Sequence, residues 1–105
     1  MRHTLEERCR QLIMQRKFDQ CQKEIETAMG EDPHGAIPHN LMGILLEKES
    51  NHVLAMKHFR AAYALDPTYV PAWYNMEQYA QMHPTGKCAF LIHLPIIIRE
   101  QKKNC

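Results

Sequence analysis

The sequence predicts an all-α fold made of antiparallel helix-turn-helix units that repeat along the chain, and three observations predict it. First, Asp32-Pro33 recurs 34 residues later as Asp66-Pro67. Second, the same shift places Cys9 on Gly43, Cys21 on Ala55, Ile25 on Phe59, Ala28 on Ala62, and Leu5 on both His39 and Trp73. Small residues thus return where two helices would cross closely, large apolar ones where they would interdigitate, and proline where a helix must stop. Third, the segments between these breaks carry apolar residues at helical spacing.

Taken in order, Thr4-Leu-Glu-Glu7 is a capping-box pattern that starts a first helix over about 4–16, with Leu5, Leu12 and Ile13 on its apolar side. Phe18, Cys21, Ile25, Ala28 and Met29 form the stripe of a second helix, which Gly30 and Asp32-Pro33 end. The third, Ala36 to Lys48, has Pro38 in its first turn, where a missing N–H costs nothing, and Leu41, Met42, Leu45 and Leu46 as its stripe. His52 to Leu65 and Val70 to Met82 follow the same logic, divided by Asp66-Pro67. The register extends to a sixth helix over about 87–100, with Ala89 on the position of Ala55 and Cys21, kinked or broken at Pro95 and followed by a fraying Arg99 to Cys105.

These residues resemble the tetratricopeptide repeat family, whose 34-residue pattern asks for Trp, Leu-Gly, Tyr, Ala, Phe, Ala and Pro at set places. Ala36 to Tyr69 looks like a full copy, with Met42-Gly43, Leu46, Ala55, Phe59, Ala62 and Pro67, and His39 in the aromatic place. Residues 2–35 are a looser copy carrying Leu5, Cys9, Leu12, Phe18, Cys21, Ile25, Ala28 and Pro33. A degenerate third, 70–103, begins with Trp73 and Met76 in the expected places but has Glu77 where glycine belongs. The likeness covers about residues 2–83. It implies that residues 1–105 form one domain, a short right-handed solenoid of about two and a half to three repeats.

Composition excludes several function classes. Thirteen Lys and Arg against twelve Asp and Glu give a net charge of +1, which offers no basic surface for nucleic acid and no field for an anionic membrane. The charged N-terminus has no apolar signal segment, and Cys88 to Ile98, the longest apolar stretch, is broken by His93 and Pro95 and falls short of a spanning helix. A cytoplasmic location follows as the expectation. Four cysteines, at 9, 21, 88 and 105, lack zinc-finger or disulfide-scaffold spacing and read as free thiols, with Cys9 and Cys21 filling the two small positions of the first helix pair. None of the seven histidines makes an i, i+4 pair of the H-E-x-x-H kind, so no metal and no cofactor is expected. Glu24 with Glu26 and Glu47 with Glu49 are two apart and do not face each other on a helix, and no glycine-rich phosphate loop is present. With no base oriented on a nucleophile, the chain is not expected to be an enzyme.

The resemblance implies a protein-protein interaction adaptor in which the first helix of each pair lines a concave groove. Carried over position by position, the lining is His3, Glu6, Arg10, Ile13 and Met14, then Ile37, Asn40, Ile44, Glu47 and Lys48, then Pro71, Tyr74, Gln78, Gln81 and Met82. The expected peptide-binding site centres on Arg10, Ile13, Ile37, Asn40, Ile44, Glu47, Tyr74 and Gln78. It suits an amphipathic helix or an extended peptide. The Lys and Asn clamp with which some members grip chaperone tails is absent, since those places hold Glu6, Arg10, Leu41, Tyr74 and Gln78. The alternative expectation is a self-assembling scaffold, a homodimer formed through the apolar tail Phe90 to Ile98.

Overall fold

The computed structural model describes residues 3–80, and over them the chain is five α-helices: α1 (Leu5–Met14), α2 (Phe18–Glu31), α3 (Ala36–Lys48), α4 (His52–Leu65) and α5 (Val70–Ala80). No strand occurs among the described residues. The expected sixth helix, the third repeat beyond residue 80 and the Phe90 to Ile98 segment lie outside them.

Each helix starts and stops for an identifiable reason. Thr4 caps α1, its hydroxyl oxygen accepting from the Glu7 N–H at 3.2 Å, while the Glu7 carboxylate turns to the His3 ring at 3.0 Å. The helix ends at Met14, two residues before its expected end, because Arg16 adopts a left-handed φ of 60°. There the Lys17 N–H reaches the Leu12 carbonyl at 2.8 Å and the Arg16 N–H the Ile13 carbonyl at 3.0 Å, which is a Schellman closure. Thirty-four residues on, the arrangement recurs. Ser50 has φ 64°, the Asn51 N–H reaches the Leu46 carbonyl at 2.8 Å, and the Ser50 N–H the Glu47 carbonyl at 3.0 Å.

The second junction recurs as well. α2 runs through Gly30 and stops at Asp32 (φ −140°), whose N–H bonds to the Ala28 carbonyl at 2.9 Å. α4 stops at Asp66 (φ −148°), whose N–H bonds to Ala62 at 3.0 Å. Both aspartates precede proline, which drives the preceding residue out of the helical region. Gly30 was expected to help end α2 but lies inside it; the proline is the stop signal.

α3 is the central helix, in contact with all four others, while α4 packs on α5 and α1 on α2. α2 and α4 do not pack on each other. Cys9, Cys21, Ile25, Leu41, Ile44, Leu45, Ala55 and Phe59 are fully buried in one apolar cluster, and each large side chain among them contributes about 1.5–3 kcal/mol by leaving water. The closest approach is at Gly43, where a Cβ would stand 2.6 and 2.8 Å from Cδ1 and Cζ of the Phe59 ring. That ring also stacks on Tyr79, centroids 5.7 Å apart and planes within 6°.

Candidate functional site

α3 contacts both α1 and α5, and these three helices carry the eight residues on which the expected groove centres. The structure divides these residues into two sets. Ile13, Asn40, Ile44 and Gln78 are buried, Asn40 and Ile44 at 0% exposure. They serve as packing between helices, because α3 is surrounded and its apolar and amide side chains close its gaps. Arg10, Ile37, Glu47 and Tyr74 are half-buried and present part of their surface. The Glu47 carboxylate stands 2.7 Å from Nδ1 of His52 across the α3–α4 turn. Met14 is exposed and Pro71 buried, whereas Gln81 and Met82 lie outside the described residues.

The buried amides belong to a network that sequence spacing did not announce. Asn75 Nδ2 donates to Asn40 Oδ1 at 2.8 Å, and the Asn40 side chain also hydrogen-bonds the Tyr69 hydroxyl. Asn40, Asn75 and Tyr69 are all buried, so the loss of one partner would strand another in a dry site, at a cost of about 1–3 kcal/mol. Burial pushes the Tyr69 phenol well above its ordinary range, and the nearby Glu6 carboxylate adds to the shift. Asn40 and Asn75 are 35 apart, one residue off the repeat register, so the repeat alignment does not pair them.

Two further pairs have chemistry of their own. Nδ1 of His39 and Nδ1 of His58 are 3.2 Å apart with rings stacked at 5.4 Å, a geometry in which one ring donates and the other accepts. Burial lowers both imidazoles from their ordinary values, and His39 lowers His58 further. Cys9 and Cys21 are fully buried and adjacent, as expected of two small positions that cross. The Cys21 thiol points at the Cys9 carbonyl at 3.9 Å. The hydrogen bond between the thiols, reinforced by burial, raises Cys9, and a buried neutral thiol is unreactive.

A cavity of about 740 Å³ opens where the first turns of α1 and α3 meet the ends of α2 and α4, with Ile37 and Glu6 on its wall. Its other apolar lining is Leu5, Ala28, Ala36, Pro38, Leu65 and Tyr69, and His34 also borders it. Among the described residues no group of three or more His, Cys, Asp or Glu side chains is placed to hold a metal ion, and no helix is long and apolar enough to cross a membrane. No family model, curated protein or solved structure matches the chain.

Proposed function

We propose that this chain is a non-catalytic adaptor of the tetratricopeptide type, a short right-handed stack of helix pairs that holds a peptide or helix of another protein against the α1, α3 and α5 layer. The observation that carries the reading is the recurrence of both turn types at a 34-residue offset, with matching left-handed residues at Arg16 and Ser50 and matching aspartates before proline. A turn repeated in its hydrogen bonds supports a stack in which each helix pair keeps the same relation to the next and the first helices form one continuous layer. Half-buried Arg10, Ile37, Glu47 and Tyr74 then supply an apolar centre with a polar fringe, the composition that suits an amphipathic segment.

The test is selection of ligands from a displayed peptide library on the full chain, followed by calorimetry on Ile37→Glu and Tyr74→Glu variants whose helicity is first checked by circular dichroism. Ligands that bind the wild type and lose tenfold or more on both variants support the reading. An empty selection, or ligands indifferent to both changes, would count against it. Self-assembly is the competing function, favoured by Trp73, which is 45% exposed on α5. A stable dimer in light scattering that dissociates when Phe90 and Ile98 are made charged would put self-assembly first.

A further inference from the structure

The cavity at the helix starts differs in charge from the rest of the molecule. Beside its apolar floor it carries four carboxylate residues, Glu6, Glu31, Asp32 and Asp66, and among its described lining residues there is no Lys or Arg. The chain as a whole is +1, so this is a local concentration of negative charge rather than a reflection of composition. Helix termini of both signs border it, the starts of α1 and α3 with Tyr69 just before α5, and the ends of α2 and α4, whereas the four carboxylates are of one sign. Asp66 is held by the Thr68 N–H and hydroxyl, but Glu6, Glu31 and Asp32 make no ion pair among the described residues.

We infer that this cavity receives an arginine or lysine side chain of a basic amphipathic peptide, and so specifies the charge of the partner. The inference rests on the docking function proposed above. A long cationic side chain matches both halves of the site: its methylene stem lies along Leu5, Ile37 and Leu65 while its head reaches the carboxylate rim. Arginine matches best, because its planar fork offers five N–H donors to several carboxylates at once. About 740 Å³ also admits an apolar neighbour of that residue. An acidic peptide meets like charge at the rim, and a neutral one covers carboxylates without pairing them, so the site selects against both.

The experiment is a nitrogen-15 NMR titration of the full chain with the acetylated, amidated peptide Ala-Leu-Arg-Ala-Leu-Arg-Ala, and with the same peptide carrying neutral citrulline for arginine. The expected result is shifts centred on Leu5, Glu6, Glu31, Asp32, Ile37 and Leu65, with affinity at least tenfold weaker for the citrulline peptide. A Glu6→Gln, Glu31→Gln double variant is expected to lose a similar factor for the arginine peptide and little for the citrulline one. Equal binding of the two peptides, shifts elsewhere on the molecule, or no shifts up to millimolar peptide while library-selected ligands still bind would overturn the cationic assignment and leave the docking function standing. If the library selection is also empty, the docking function fails with it.

Discussion

Gly43 shows at a single residue how small positions set the distance between helices. Glycine inside a helix is worse than alanine by about 1 kcal/mol, yet here a methyl group would press into a fully buried Phe59 ring that is itself stacked on Tyr79. Overpacking costs about 1–3 kcal/mol and exceeds the gain in helix propensity. Gly43→Ala is therefore expected to lose about 1–2 kcal/mol in urea unfolding; unchanged or increased stability would mean that the contact is not tight. The sequence marks Gly43 as a crossing point through its alignment with Cys9, but Tyr79, which stacks on the ring, falls on Leu45 in that alignment, so the alignment does not announce the contact. The His39–His58 pair was likewise illegible, because His39 read only as a substitute for an aromatic residue. Both imidazoles are lowered in the fold, so their contribution to stability is fully present above about pH 6.5, their ordinary value, and is lost as pH falls through the depressed folded values. A His39→Gln, His58→Gln double variant is expected to lose stability less steeply than wild type below pH 6.5 in a series of urea melts. Equal slopes would deny the pair that role.

At the scale of the helix and its turn, the two Schellman closures place L-residues where glycine is the usual choice. Arg16 and Ser50 each bear the left-handed strain, about 1 kcal/mol for a residue with a Cβ. Ser50→Gly is expected to stabilise the chain by about 0.5–1 kcal/mol, since the strain relieved exceeds the extra entropy of an unfolded glycine. Arg16→Gly should gain less, because the Arg16 guanidinium lies 5.2 Å above the Phe18 ring and that cation–π contact, worth about 0.5–1 kcal/mol, would be lost. Thermal melts of the two variants check both the sign and the order. These turns also explain which helix boundaries could be read. The start of α3 and the end of α4 match expectation where Pro38 and Asp66-Pro67 mark them. No glycine or proline marks the end of α1 or of α3; there the boundary depends on the left-handed Arg16 or Ser50, and expectation meets the structure at Lys48 but runs two residues past Met14.

For the whole molecule, the all-helical architecture and the order of the five described helices were legible in the sequence, because helix starts, stops and apolar stripes leave a local trace. Partition of the groove residues between surface and core was not legible, because it depends on how fully α3 is enclosed. Ile44 and Asn40 occupy positions of the family's groove, yet they are buried here, while Ile37, one turn before Asn40 and two before Ile44, reaches the cavity. The proposed function makes the layer of α1, α3 and α5 a docking face for another protein. The most direct test is chemical-shift mapping of a library-selected ligand on the full chain. The expected perturbations include Arg10, Ile37, Glu47 and Tyr74 and spare the outer faces of α2 and α4; a footprint confined to those outer faces would rule the docking face out.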